Sequence, residues 1–361
     1  MARPTPIGSA GVGGAARPQV SREPRRASWP ARLAAGIRAR GVVVVWLALV
    51  LFFWAWAGPA FFSLANARLV ANASATTAIF GAALGLCVLA GSLDLSVPGT
   101  AAVAGVVCAK LLAAGAPAAL AVGAAIAVGI ACGVVNALLI QSGLNPLAVT
   151  IGTLTALGGI AALLSANEPV LLGTPSKLAW LGTDTLWTIP APVFVVAVIY
   201  LLGWLLLSKT YIGIRLLAVG GNADGARRIG VRAPAYRMLG FTLSGACAAI
   251  GGVVVSAVIS QANPTPDTSQ LFAALTAVAL SGIALSGGRG SFLRIIIGAL
   301  IIATVNSGLI IHGMDPSWAT FATGALLIGA LGFDRVTGKL LGFVRGRDTP
   351  ADRPPAPTGS A

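Results

Sequence analysis

The sequence predicts an all-α polytopic membrane protein of about ten transmembrane helices, and three observations predict it. The 361 residues are 57% hydrophobic and only 9% charged, with a mean hydropathy of +0.89, well outside the composition of a soluble domain. The apolar residues fall into runs long enough to cross a hydrocarbon core about 30 Å thick. The basic residues behind the net charge of +14 lie at the two ends and between the runs. They form no basic face, so the charge describes membrane topology and not a nucleic-acid surface.

Residues 1–40 hold eight arginines against one acid, Glu23, and contain no apolar run; this composition predicts a disordered basic tail. The run that follows is long enough to span and lacks a small-residue cleavage site, so it reads as an uncleaved first helix. Spans are expected at about 41–62, 69–90, 97–114, 117–140, 146–164, 189–207, 238–260, 270–286, 292–311 and 316–333. They make a membrane domain over 41–335, with a second disordered tail over 336–361. With both termini cytoplasmic, all but Arg68, Lys110 and Lys177 of the 24 Lys and Arg fall inside, the bias expected of a protein of the bacterial inner membrane. Glu168, Asp184, Asp267 and Asp315 then lie in external loops.

The spans are rich in Gly, Ala, Ser and Thr, which let helices approach closely where lipid supplies no hydrophobic drive between them. Cys87, Cys108, Cys132 and Cys247 all fall within spans and read as small buried hydrophobes. A short internal echo pairs Asn136, Gly143 and Pro146 with Asn306, Gly313 and Pro316. The two junctions are five spans apart and face opposite sides, as an inverted five-helix repeat requires, although a match this short also arises by chance.

The largest charged island within the apolar region is the loop 209–237, and it contains a short helix about eight residues long. Asn222 is a good N-cap, Asp224 falls in the first turn, Arg227 and Arg228 in the last, Gly230 at the C-cap, and Pro234 blocks continuation. Asp224 is spaced to pair with Arg227 and Arg228, while Ala223, Ala226 and Ile229 make a narrow apolar stripe.

Little in the chain points to catalysis. There is no Walker A sequence, so ATP has no P-loop here. His312, the single histidine, stands near an external helix end beside Asp315 and reads as a solvated loop residue. No His, Cys or carboxylates stand at ligand or catalytic spacing, so neither a metal nor an enzymatic activity is expected. Asp94 stands apart: it lies where Gly91 and Pro98–Gly99 interrupt the helical pattern. Two readings fit it. Either it caps a helix at the cytoplasmic surface, or it belongs to a broken segment within the membrane, with Ser96 sharing a polar lining. Thr150, Thr153, Asn306 and Ser307 are further candidates for a substrate pathway. Each has a competing structural role, the Thr in back-bonding to its own helix and the Asn in bonding to a neighbour. Ser286 to Ser291, SGGRGS, lacks the Lys of a phosphate loop and reads as a tight turn.

Five stretches, taken together and in order, resemble the permease subunits of bacterial ATP-binding-cassette (ABC) importers for monosaccharides, the ribose, xylose and arabinose group. They are GSLDLSVPG (91–99), NPLAVTIGTLT (145–155), AVGGNADGARRIGV (218–231), SGGRGS (286–291) and VNSGL (305–309). The resemblance implies a dimer with a second permease copy or paralogue, two cytoplasmic ATPase subunits carrying the ATP and magnesium, and an extracytoplasmic sugar-binding protein. It also implies that Gly221, Asn222, Ala226 and Arg227 belong to the segment that docks on the ATPase, to which the local pattern adds Asp224 and Arg228. Departures from the family pattern touch the substrate: Pro98 replaces a usual Gly, Arg294 enters an uncharged segment, Gln270 to Ala273 replace a run with two acids, and Ser281 replaces a Gly. Permeases for nucleosides or branched-chain amino acids share the layout, and an ion-coupled secondary transporter is the alternative from another class.

Overall fold

A computed structural model describes residues 29–173, 178–183, 185–186, 188–284 and 287–347. Most of the expected N-terminal tail, Lys177, Asp184, Ser286 and residues 348–361 lie outside them. Within the described residues the chain forms α1 (Trp29–Ala57), α2 (Leu64–Leu89), α3 (Val97–Ala113), α4 (Ala118–Gln141), α5 (Pro146–Ser165), α6 (Ala179–Thr183), α7 (Ala191–Lys209), α8 (Tyr211–Gly221), α9 (Ala223–Arg228), α10 (Ala233–Ile259), α11 (Thr268–Leu280), α12 (Ile295–Ile311) and α13 (Pro316–Arg347). Two-residue strands add only local ties, such as Val170–Leu171 against Gln261–Ala262.

Each expected span finds its own helix, but 41–62 runs past the end of α1 at Ala57 and 270–286 past the end of α11 at Leu280. α1 and α13 run further than the expected spans, over 29–40 and out to Arg347. The first extension is rich in Ala and Arg, good helix formers, and the second repeats apolar residues at helical spacing. Among the described residues, six helical stretches are long and apolar enough to cross a membrane unaided: Leu64–Leu89, Ala118–Gln141, Pro146–Ser165, Ala191–Lys209, Ala233–Ile259 and Phe292–Ile311. At 17 and 13 residues, α3 and α11 reach only about 26 and 20 Å at 1.5 Å per residue. Each begins after an irregular stretch: residues 92–96 before α3 are buried or half-buried in protein, whereas Asn263, Thr265 and Asp267 before α11 are exposed.

The centre of the bundle is the pair α2 and α10. Of the most apolar window of α2, 83% is buried, against 17% for α5, so α5 belongs to the periphery. A side chain at Gly240 would meet Ala90 Cβ at 2.6 Å, and one at Gly251 would meet the Phe80 ring at 2.8 Å. The two helices therefore run antiparallel. The offset that carries Asn136 to Asn306 also carries α2 onto α10, α3 onto α11, α4 onto α12 and α5 onto α13. Equivalent helices that run antiparallel are the mark of an inverted repeat. Its joints match in detail. Gly143 and Gly313 both have positive φ, 100° and 82°. Asn145 Oδ1 accepts from Leu147 N ahead of Pro146, as Asp315 Oδ1 accepts from Ser317 N around Pro316. The Ser317 side chain and backbone N–H hold the Asp315 carboxyl below the usual carboxylate range. His312 is exposed and stacks on Trp56 with ring centroids 3.9 Å apart.

Glycine sets the helix spacing. A Cβ on Gly245 would overlap the carbonyl of Gly129, and one on Gly129 would overlap that of Gly245, so α4 and α10 touch backbone to backbone. Gly245→Val is expected to force them apart at a cost of about 1–3 kcal/mol. Thermal unfolding of the purified protein in detergent should fall by several degrees, and an unchanged midpoint would refute this contact.

Candidate functional site

The irregular stretch between α2 and α3 is built by its own sequence. Gly91 takes φ 83° and its N–H bonds Val88 O at 2.8 Å, ending α2. The chain then stays non-helical until Pro98 enters the first turn of α3, where its missing N–H costs nothing. In between, Asp94 is 1% exposed. Its Oδ1 accepts from Ser96 N at 3.0 Å and Ser96 Oγ at 2.6 Å, and its Oδ2 accepts from Ser244 Oγ of α10 at 2.8 Å. Asn136 Nδ2 of α4 donates to Ser96 Oγ at 2.7 Å. A carboxylate, two hydroxyls and an amide from three parts of the chain thus form one buried network. Ser244 lies about 16 Å along α10 from its start, so the network sits at depth and not at the surface. Ser96, not Asp94, takes the N-cap position of α3. The Asn136 carbonyl oxygen is buried without a partner.

Directly above the start of α3 a cavity of about 590 Å³ opens toward the end of the bundle opposite the loop 209–237. Phe80, Val97 and Pro98 form its base, Ser256 part of its wall, and Asp267 and Gln270 part of its rim. Asp267 also starts α11, its Oδ1 accepting from Ser269 N and Gln270 N at 2.9 and 3.2 Å.

The other pathway candidates do not join this constellation. Thr150 and Thr153 bond back to Pro146 O and Val149 O, both at 3.0 Å, within α5. Ser307 donates to Asn66 Oδ1 of α2. Asn306, next to it, has a buried carbonyl oxygen with no partner. Asp94 and Ser96 are together; Asn306 and Ser307 make a second place, and the two Thr a third.

At the other end, α9 has six residues, not eight, because Ile229 leaves the helical path at φ −100° and ψ 19°. Its caps are those the sequence predicts. Asn222 Oδ1 accepts from Gly225 N at 2.9 Å, and Gly230 at φ 81° donates its N–H to Arg227 O at 3.0 Å. Val231 N closes the end on Ala226 O at 3.0 Å. Asp224 pairs with Arg227 at 3.5 Å. The expected apolar stripe is corrected: Ala226 packs with Val219 and Ala233, whereas Ile229 is 76% exposed. Beside α9 lies α8, which the sequence reading did not separate from the loop. α8 buries Leu216 and Val219 while Tyr211 and Ile214 stay exposed, and Arg215 Nη1 donates to Tyr236 Oη of α10 at 3.4 Å.

Sequence reasoning missed Ser244 and most of the lining of the cavity, although Pro98 and Gln270, which depart from the family pattern, are part of that lining. Asn136 entered that reasoning only through the internal echo, although an amide inside an apolar helix is itself a signal of a partner across the bundle. Among the described residues no cluster of His, Cys, Asp and Glu is suited to a metal ion.

Residues 66–331 match the family described as branched-chain amino acid transport system / permease component. The galactofuranose transporter permease protein of Escherichia coli strain K12 is 32% identical over 249 residues, covering 68% of this chain and 73% of that protein. The ribose import permease protein of Bacillus subtilis strain 168 is 32% identical over 250 residues, 69% of this chain and 78% of that one. The D-allose transport system permease protein of Escherichia coli strain K12 is 30% identical over 268 residues, 74% and 82%. No solved structure matches the chain. By the extent of the family match and by these relatives, the chain, a multi-pass membrane protein, belongs to the branched-chain amino acid transport system permease component family.

Proposed function

We propose that the chain is the membrane-spanning permease subunit of an ABC importer that carries a monosaccharide. The single observation that carries the reading is the pairing of an exposed, capped, cationic helix, α9, at one end of the bundle with a polar-rimmed cavity at the other. In this reading the loop 209–237 faces the cytoplasm of a bacterium whose inner membrane holds the protein, and both termini are cytoplasmic. The distribution of Lys and Arg supports that orientation. Two ATPase subunits, which bind the ATP and magnesium, press on α9. A sugar-binding protein delivers substrate to the cavity, and a second permease copy or paralogue completes the pathway. This chain itself catalyses no reaction. ATP binding drives transport only through contacts that favour one access state over the other, and the α9 contacts are where that difference enters.

The substrate class rests on the relatives, whose names specify ribose, allose and galactofuranose. The family description names branched-chain amino acids, which keeps that cargo as the second reading, with nucleosides beside it. The buried carboxylate of Asp94 and the inverted repeat are the features among the described residues that favour an ion-coupled carrier. Proteoliposomes holding the permease with its co-purified ATPase and binding protein separate these outcomes. ATP-dependent uptake of a labelled pentose or hexose is expected. Uptake of leucine or adenosine in preference to every sugar would overturn the substrate class. Uptake that continues without ATP and follows a sodium or proton gradient would overturn the importer.

A further inference from the structure

Three loops meet at the α9 end of the bundle with no side chain between them. Gly220 and Gly221 close α8 immediately before Asn222 caps α9. Gly91 follows the end of α2, three residues before Asp94. Gly287 and Gly288 form a tight turn between α11 and α12, where Gly287 N bonds Ala284 O at 2.8 Å. A Cβ on Gly220 would overlap Leu89 O and come within 2.9 Å of Gly288 N. One on Gly91 would lie 3.0 Å from Gly220 Cα, and one on Gly287 2.8 Å from both Gly220 O and Gly91 Cα. Gly91, Gly287 and Gly288 have φ of 83°, 92° and 70°, a conformation open chiefly to glycine.

The consequence is mechanical. α9 is fastened to α8 through Ala226 against Val219, so a push on α9 arrives at Gly220. At Gly220 that push meets the backbone of Leu89 to Gly91 on one side and of Gly287 to Gly288 on the other, while Ala226 also bears on Ala233 of α10. The first of these leads within three residues to Asp94, whose carboxylate ties Ser96 at the start of α3 to α10, with α4 joined through Asn136 to the Ser96 hydroxyl. Side chains at such a junction would yield by changing rotamer, whereas backbone packed on backbone passes displacement on with little loss.

We propose that Gly220 is the positioning residue that relays movement of α9 to the 91–96 segment, and thereby sets whether the Asp94 network holds the floor of the cavity closed. The relay rests on the importer reading, since it needs an ATPase on α9. The test is amide hydrogen exchange on the intact permease–ATPase complex with and without a non-hydrolysable ATP analogue. Exchange at 91–96 is expected to change at least threefold in step with 219–228. In Gly220→Ala the response at 91–96 should shrink below a third of that seen in the unmodified complex while the amount of ATPase retained stays the same. Gly123→Ala, where a Cβ meets nothing within 4 Å, should respond like the unmodified protein. A response at 219–228 with none at 91–96, or an undiminished response in Gly220→Ala, would overturn the relay. If Gly220→Ala fails to accumulate, the unmodified complex still decides. Failure of any ATPase to co-purify is a different result, which removes the importer reading and the relay with it.

Discussion

Arg227→Glu combined with Arg228→Glu is expected to reduce ATP-driven uptake at least tenfold while the protein reaches the membrane in normal amount. Both side chains are exposed, Arg227 at 57%, so their replacement removes no packing from the bundle. The internal consequences are small. The ion pair with Asp224, itself 81% exposed, is of the surface kind that contributes little. Glutamates in the last turn oppose the helix dipole, but α9 keeps the Asn222 cap, the Gly230 end and the buried Ala226. What changes is the charge presented outward, by four units over two positions, and a reversed charge at a docking surface repels the partner it once attracted. The measurement is uptake together with the quantity of ATPase retained on purification. Uptake at the original rate would remove α9 from the coupling path.

The second large effect is expected at Asp94, where two substitutions separate charge from scaffold. In Asp94→Ala the Ser96 N–H, the Ser96 hydroxyl and the Ser244 hydroxyl lose their acceptors. Buried groups left unpaired cost about 1–3 kcal/mol each in water-soluble proteins, and about 0.6 kcal/mol is the average for side-chain hydrogen bonds inside a membrane. Thermal stability and uptake should therefore both fall. Asp94→Asn keeps the shape and an acceptor for Ser96, and its amide can donate to Ser244 once that hydroxyl turns. Its stability should stay near that of the unmodified protein, while uptake falls at least tenfold if the carboxylate itself works in the pathway. Uptake at the normal rate in Asp94→Asn, with both uptake and stability lost in Asp94→Ala, would reduce Asp94 to a fastening.

These expectations differ in how far they were legible in the chain. α9 was readable almost to its ends because its determinants are local: Asn222, Gly230 and Pro234 lie within a few residues of the turns they govern. Ile229 was misplaced for the same reason, since a stripe drawn at helical spacing assumes a helix that stops one residue earlier. The spans were legible through apolar length, but the early end of α11 at Leu280 and the irregular stretches ahead of α3 and α11 were not, because the apolar runs continue past them. Of the partners of Asp94, Ser96 was within local reading and Ser244 was not. Ser244 is 150 residues away, and a serine in a Gly/Ala-rich helix carries no signal of what it faces. Gly91 and Gly220 each look like an ordinary end of a helix, and only folding brings them into contact.

The inverted repeat has an energetic side. A bundle built from one element and its upturned copy has two arrangements that exchange the roles of the halves, and in the limit of perfect symmetry they are equally populated. A few kcal/mol of difference is then enough to invert the populations. Here the copies differ in a buried charge. The offset that takes Asn136 to Asn306 and Ser74 to Ser244 takes Asp94 to Pro264, so the second half keeps an amide with an unpartnered oxygen but has no carboxylate to answer it. The molecule is a balance with one weighted pan, and the weight sits three residues from Gly91, which packs on Gly220.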